Sequence, residues 1–315
     1  MKITFFGSSQ FGIPFLRQVV QGPNELVHIF TQPARAAGRS RKPTPTPVGQ
    51  WAKANSIPFT ETDNINAPQL AEQLSECASD LLVVIAFGQK ISRQVISMYP
   101  KGAINAHGSL LPKYRGAAPI SRAVMDGQKE TGVTIITLAD RMDAGQMLSS
   151  DSIPIDDCDT AETIGEKLGE LAGPLLIDTI AKIEDAAATY TDQDESEVTI
   201  AAKLKKSDGF LDWDDTAAAI KNKIHGLWPW PGAQFDYVNK KTQKRCRVTI
   251  AKAAAGDGGG GNTAIGILND DMEVVCRSGV IKILQIKPAG KSLMDFKSFI
   301  NGRKTEPGDM FIPIL

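Results

Sequence analysis

Asn105, His107 and Asp143 are the residues of this chain whose types and spacing suit chemistry on an acyl group. Asn105 and His107 are alternate residues at the end of the apolar run GAINAHG. Alternate residues on a strand share a face, so an amide donor and an imidazole that donates or exchanges a proton can enter one site. Asp143 lies in RMDAGQML, just after a second apolar run, GVTIITLA. A carboxylate brought beside an imidazole by an adjacent strand favours the protonated ring and fixes its orientation. No Ser or Cys sits in an evident nucleophile elbow. The trio therefore suits acyl transfer in which the substrate brings the nucleophile and the protein brings an oxyanion donor and a proton acceptor. Each residue also has a plainer reading: an Asn satisfying loop backbone, a satisfied half-buried His, and a turn Asp before a Gly. Spacing alone leaves both readings open.

The elements that must position these residues read as an α/β fold. KITFF, ELVHIFTQ, DLLVVIAF, GAINAHG and GVTIITLA read as strands, and IPFLRQVVQG, WAKANSI and APQLAEQLSEC as helices between them. The continuous run DLLVVIAF suits a central parallel strand covered on both faces. This alternation predicts an open, mostly parallel Rossmann-like sheet with helices on both faces. Such sheets bind ligands beyond the carboxyl ends of their strands. The apolar runs before Phe87-Gly88 and around Asn105 open onto that edge. Residues 160–184 read as a long helix, with Thr160 as N-cap and Thr163 in the place of the usual Glu. The stretch after it is polar and rich in Ala, Asp and Thr, as linkers are. Beyond it lie FLDW, a helix around 214–227, and the short runs AQFDYV, CRVTIAKA, AIGILN, MEVVCR and VIKILQIKPA. Short strands spaced by Gly, Asn and Asp turns predict a small, OB-like β-barrel. The expected division is 1–186, a linker 187–207, and a barrel domain 208–315.

Composition narrows the classes of function. A length of 315 residues exceeds one average domain. No apolar run approaches the roughly 18 residues that span a membrane. The opening MKITFFG runs straight into a strand, without the features of a signal or transit peptide, so the expected location is the cytoplasm. Cys77, Cys158, Cys246 and Cys276 are far apart and form no C-x-x-C pair, which favours reduced thiols over a disulfide framework. His28, His107 and His225 show no metal-binding spacing, so no metal is expected. The GSSQFG turn is not G-x-G-x-x-G, and Gly256–Asn262 lacks a terminal G-K-[ST], so neither is read as a phosphate cradle. Residues 201–315 carry 18 Lys and Arg against 12 Asp and Glu, a net of +6, while the rest carries 17 against 24, a net of −7. A basic C-terminal third suggests an anionic partner, although ordinary surface charge gives the same asymmetry.

The run N-A-H-G-S-L-L-P-K-Y-R-G-A-A-P-I, from Asn105 to Ile120, with D-x-G at Asp143, resembles the signature of the folate-dependent formyltransferases. That family moves a formyl group from 10-formyltetrahydrofolate to an amine on methionyl-tRNA, glycinamide ribonucleotide or a nucleotide amino sugar, or to water. The basic stretch around Arg35, Arg39, Arg41 and Lys42, followed by P-T-P-V, resembles the insertion loop of the members that act on methionyl-tRNA. W-P-W-P-G and P-A-G-K in the C-terminal part resemble the barrel of the same members. The chain departs from the usual pattern at Ala34, at the Gly7–Phe11 turn and at Gln146.

The resemblance implies the following roles. Asn105 and protonated His107 stabilise the oxyanion. Asp143 holds His107 and helps remove the amine proton. Phe87, Gly88, Gln89, Ser109, Leu110, Leu111 and Pro112 contact the formyl folate co-substrate. Arg35, Arg39, Arg41 and Lys42, with Lys205 and Lys206 of the basic C-terminal part, contact tRNA. The implied acceptor is methionyl-tRNA, with an amino-sugar nucleotide as the alternative. No membrane partner is implied, and the expected state is a monomer.

Overall fold

The structure, a computed structural model, describes residues 1–37, 42–258 and 263–314. The Arg39 and Arg41 positions and residues 259–262 of the glycine-rich loop lie outside the described residues. Two compact units are present: Met1–Arg115 with Gly132–Ile153 and Gly165–Ile200, and Gly116–Thr131 with Pro154–Ile164 and Ala201–Leu315.

The first unit is built on a seven-stranded sheet. Its strands are β1 (Lys2–Gly7), β2 (Glu25–Thr31), β3 (Phe59–Glu61), β4 (Leu81–Ile85), β5 (Ala103–His107), β6 (Glu130–Thr137) and β7 (Met147–Pro154). Their order is β7-β6-β5-β4-β1-β2-β3. β1 to β5 run parallel, and β6 pairs antiparallel with β5. All five residues of β4 are buried, as its unbroken apolar run requires of a strand covered on both faces. The helices include α1 (Ile13–Gln21), α2 (Pro47–Ala54), α3 (Ala71–Glu76) and α4 (Ala161–Glu184).

Helix α4 starts as its sequence predicts. The Thr163 N–H donates to Thr160 Oγ1 at 3.3 Å, and the Thr160 N–H donates to Thr163 Oγ1 at 2.9 Å. This is the reciprocal capping arrangement with Thr in the acid's place. Gly169 and Gly173, one turn apart, let α4 approach the α1 region closely: a Cβ on Gly173 would lie 2.8 Å from Gln18 Nε2.

The second unit is a barrel of antiparallel strands: β8 (Ala233–Val238), β9 (Arg245–Gly256), β10 (Val280–Pro288) and β11 (Met310–Pro313), with short pieces at Val274–Val275 and Met294–Asp295. Its edges meet through two single-residue bridges, Ile267 to Met310 and Leu268 to Val274. The AIGILN run thus supplies the closure without forming a strand. Gly266 takes φ +80 there, and a Cβ would sit 2.9 Å from Trp213 Cδ1. Strand β11 escapes the sequence reading because four residues after Pro307-Gly308 are too few to show a period. Trp213 stacks on Phe235 with centroids 4.3 Å apart, and its Nε1–H donates to the Phe311 carbonyl at 2.6 Å. Helices α5 (Ala217–Leu227) and α6 (Phe296–Arg303) also belong to this unit.

His225, at the end of α5, is buried and neutral by design of its surroundings. Its Nε2 accepts the Ala253 N–H at 3.1 Å. Burial, chiefly, and then Lys221 push its pKa down from 6.5 to about 4, against the opposing pull of backbone hydrogen bonds. The unfolded chain therefore takes up a proton between pH 6.5 and 4 that the folded chain refuses, so stability is lost as pH falls through that window. The loss is at most roughly 3 kcal/mol. Denaturant unfolding of the wild type should weaken from pH 7 to pH 4.5 more steeply than that of His225→Gln. Parallel pH curves would contradict this assignment.

Candidate functional site

The geometry starts at His107, the last residue of β5. Its ring is buried, and Nε2 lies 2.9 Å from the Tyr114 carbonyl oxygen. A carbonyl only accepts, so Nε2 carries a hydrogen and Nδ1 is the nitrogen left to exchange a proton. Nδ1 faces Asp143 Oδ2 at 3.6 Å. That is an ion-pair separation, longer than a hydrogen bond. Asn105, two residues earlier on the same strand, is half-buried, and its carboxamide makes no hydrogen bond to another described residue. Asp143 comes from the turn between β6 and β7, and β6 is the strand beside β5. The structure therefore brings His107 and Asp143 together, with Asn105 on the neighbouring strand position.

The turn that carries Asp143 is tightly specified. Asp143 has φ +53, a left-handed conformation that Asp and Asn tolerate better than most residues. A Cβ on Gly145 would lie 1.7 Å from the Thr137 carbonyl oxygen, so only glycine lets the turn close onto β6. Below the turn, the Gln193 Nε2 donates to both the Asp143 and the Gly145 carbonyl, each at 2.8 Å. Gln193 in turn accepts from Arg115 Nε at 2.8 Å, and Arg115 Nη2 donates to Glu195 at 3.0 Å. Arg141 also binds Glu195, and the two guanidinium groups, Arg115 first, hold the Glu195 carboxyl below its ordinary range.

The segment after His107 is held as firmly. The Ser109 hydroxyl donates to the Lys113 carbonyl at 2.7 Å. The Thr134 hydroxyl donates to the Ser109 carbonyl at 2.7 Å and accepts the Leu111 N–H at 3.0 Å. Ser109 and Leu111 are buried, whereas Leu110 and Pro112 are half-buried. On the neighbouring parallel strand β4, the exit passes through Phe87, buried against Phe6 at 5.2 Å between centroids, and Gly88, which is exposed. The Gln89 side chain is occupied by backbone: it accepts the Ile65 N–H at 2.8 Å and donates to the Thr62 carbonyl at 2.7 Å. The seven residues read as folate contacts thus divide into interior ones and accessible ones.

Arg35 and Lys42 are exposed on paired short strands, Arg35–Ala37 and Lys42–Thr44. Lys205 and Lys206 are exposed as well. The sequence reading missed Gln193 and Glu195, which lie in the stretch that composition assigns to a linker. Their one signal is polarity, which no local rule separates from a solvated segment. Arg115, left without a role in the sequence, is buried at the head of that network. All four cysteines are free thiols. Among the described residues no helix is long and apolar enough to cross a membrane.

The profile described as Formyl transferase matches residues 1–180, and the one described as Formyl transferase, C-terminal domain, matches residues 203–304. The chain belongs to the formyl transferase family. A methionyl-tRNA formyltransferase of Citrifermentans bemidjiense is 34% identical over 98% of this chain and 96% of its own length. One of Methylococcus capsulatus is 35% identical over 96% of each. Among solved structures, the N-formyltransferase of Helicobacter canadensis, in complex with folinic acid and dTDP-3-aminofucose, superposes with a TM-score of 0.65 at 15% identity, over 93% of this chain and 100% of that one. HypX of Aquifex aeolicus, in complex with tetrahydrofolic acid, superposes at 0.63 and 16% identity, over 98% of this chain and 48% of that one. At such identities the likeness speaks for the fold. The formyl transferase fold is thus present in both parts of the chain, a mostly parallel sheet and a C-terminal barrel.

Proposed function

We propose that this formyl transferase moves a formyl group from 10-formyltetrahydrofolate to the α-amine of methionyl-tRNA in the cytoplasm, giving formylmethionyl-tRNA for translation initiation. The observation that carries the reading is the His107 ring, anchored through Nε2, with Asp143 across from Nδ1 at 3.6 Å, in a chain alike over nearly its full length to relatives of that activity. That likeness stands at 34% identity over nearly the whole chain, against 15% for the N-formyltransferase bound to dTDP-3-aminofucose, which favours a tRNA acceptor over a nucleotide amino sugar.

The bound formyl folate supplies the electrophilic formyl carbon. The protein's part is charge and proton management. Asn105 and Nδ1–H of the protonated His107 ring donate to the formyl oxygen as negative charge builds there. Asp143 steadies the imidazolium and accepts the proton that the attacking amine loses, directly or through water; the bond from the formyl carbon to the folate N10 then breaks, and that nitrogen takes up a proton and leaves as tetrahydrofolate. Half-buried Leu110 and Pro112 cover the face of a flat ring, and the exposed backbone at Ala86 and Gly88 reads its edge. These segments leave adjacent parallel strands at the same sheet edge, which supports the fit. Phe87, Gln89, Ser109 and Leu111 serve by fixing those segments.

Arg35, Arg39, Arg41 and Lys42 contact tRNA phosphates in this reading, as do Lys205 and Lys206. Each phosphate contact removed lowers the salt dependence of binding by about one counterion. Arg35→Ala, Arg39→Ala, Arg41→Ala and Lys42→Ala should each raise the KM for tRNA and reduce its salt slope, while the KM for formyl folate stays put. An unchanged tRNA KM and slope in all four would remove this loop from the interface.

The function is tested by offering the protein formyl folate with methionyl-tRNA, with a nucleotide amino sugar, or with no amine. Formylmethionyl-tRNA is the expected product. Formyl sugar in its place, or free formate without any amine, would replace this reading with sugar transfer or with hydrolysis.

A further inference from the structure

We propose that Gln193 is a positioning residue of the reaction centre, fixing the turn that aims Asp143 at His107. The inference rests on the assignment of that pair as the reaction centre.

A carboxamide has two hydrogens to give, and Gln193 gives both to one turn, to the carbonyls of Asp143 and Gly145 at 2.8 Å each. The Asp143 carbonyl belongs to the peptide link that leaves the Asp143 Cα, and the Gly145 carbonyl to the link that leaves the turn, so both bonds fix the backbone just after Asp143. The turn has a reason to need holding, since Asp143 sits at φ +53. Gln193 is itself locked. It is 9% exposed, and its oxygen takes the Arg115 Nε–H at 2.8 Å. Arg115 is buried and is held at its backbone by the Thr199 carbonyl, 2.9 Å from its N–H. The Tyr114 N–H donates to Thr199 Oγ1 at 2.8 Å, and the Tyr114 carbonyl is the group that fixes His107 Nε2. One segment, residues 193–199, therefore anchors both partners: Asp143 through Gln193, and His107 through Thr199 and Tyr114. The Nδ1 to Oδ2 separation of 3.6 Å is then a property of that segment, and a small rotation of the turn changes it. Misplacement of a catalytic group by about 1 Å can cost on the order of 100-fold in rate.

The test uses the full chain with Gln193→Ala and Gln193→Glu. The glutamate variant keeps the shape, offers no hydrogen to the two carbonyls, and carries the test should the alanine variant fail to fold. Two readouts are taken: kcat and KM for both substrates, and the ring proton signals of the histidines. The chain has only three histidines, so His107 can be followed beside His28 and His225. Both variants should lower kcat by about 10- to 100-fold with each KM within about twofold. The His107 signal should move while the other two stay. Wild-type kcat in both variants overturns the proposal, and so does a loss of activity with an unmoved His107 signal. The ring signals need no turnover, so they report on Gln193 even if the wild-type protein makes no formylated tRNA, a result that would count against the proposed function instead.

Discussion

His107→Ala should fold and lose turnover by about 100- to 1000-fold, the usual cost of removing one donor to a developing oxyanion. The ring's surroundings make this expectation specific. Nε2 is committed to the Tyr114 carbonyl, so the ring has one nitrogen left to offer the site, and that nitrogen faces Asp143. Truncation removes the donor and one partner of the Tyr114 carbonyl together. The second loss costs about 1 kcal/mol of stability, which leaves a folded protein. Thermal unfolding should therefore drop slightly while kcat collapses, with both KM values near those of the wild type. Asn105→Ala should behave in the same way, with less effect on stability because its carboxamide binds no other described residue. Equal falls in kcat and in substrate affinity would assign these side chains to binding instead.

Asp143→Asn separates the catalytic from the plain reading of Asp143. The residue sits at φ +53, which Asn adopts as readily as Asp. A turn residue would then be replaced at no cost, and activity would be untouched. A carboxylate that steadies an imidazolium and accepts a proton has no substitute in an amide. Conversion of such a carboxylate to its amide costs on the order of 1000-fold or more in turnover. We expect that loss, with unchanged unfolding, measured in single-turnover formyl transfer. Gly145→Ala gives no such separation, because its Cβ would strike the Thr137 carbonyl and disturb the turn itself.

Much of this site was legible in the sequence because it is local. Asn105 and His107 share a strand face by period alone, and D-x-G reads as a tight turn. The structure adds why the glycine of that motif is needed. The parallel sheet was legible for a similar reason: runs such as LLVVI are apolar without interruption, as strands covered on both faces must be. What sequence did not reveal depends on contacts far apart in the chain. Gln193 acts 50 residues from Asp143, and Arg115 sits 80 residues from Glu195. Polar residues buried by pairing look like solvated residues until the partner is known. Strand β11 and the bridging role of Ile267 and Leu268 share that difficulty, since barrel closure is fixed by which edges meet and not by any local period. The residues read as folate contacts show a third case. Phe87 and Ser109 are 2% and 0% exposed, and no local pattern tells such interior side chains from accessible ones in a segment at a strand end.

In the proposed function the His107–Asp143 pair beside Asn105 carries formyl transfer to methionyl-tRNA. The most direct test of that role is the single-turnover rate of formylmethionyl-tRNA formation from 10-formyltetrahydrofolate and charged initiator tRNA, both saturating, for the wild type beside His107→Ala. Product is expected from the wild type, with a rate lower by at least about 100-fold in the variant. No formylmethionyl-tRNA from the wild type, or equal rates from the two proteins, would contradict that role.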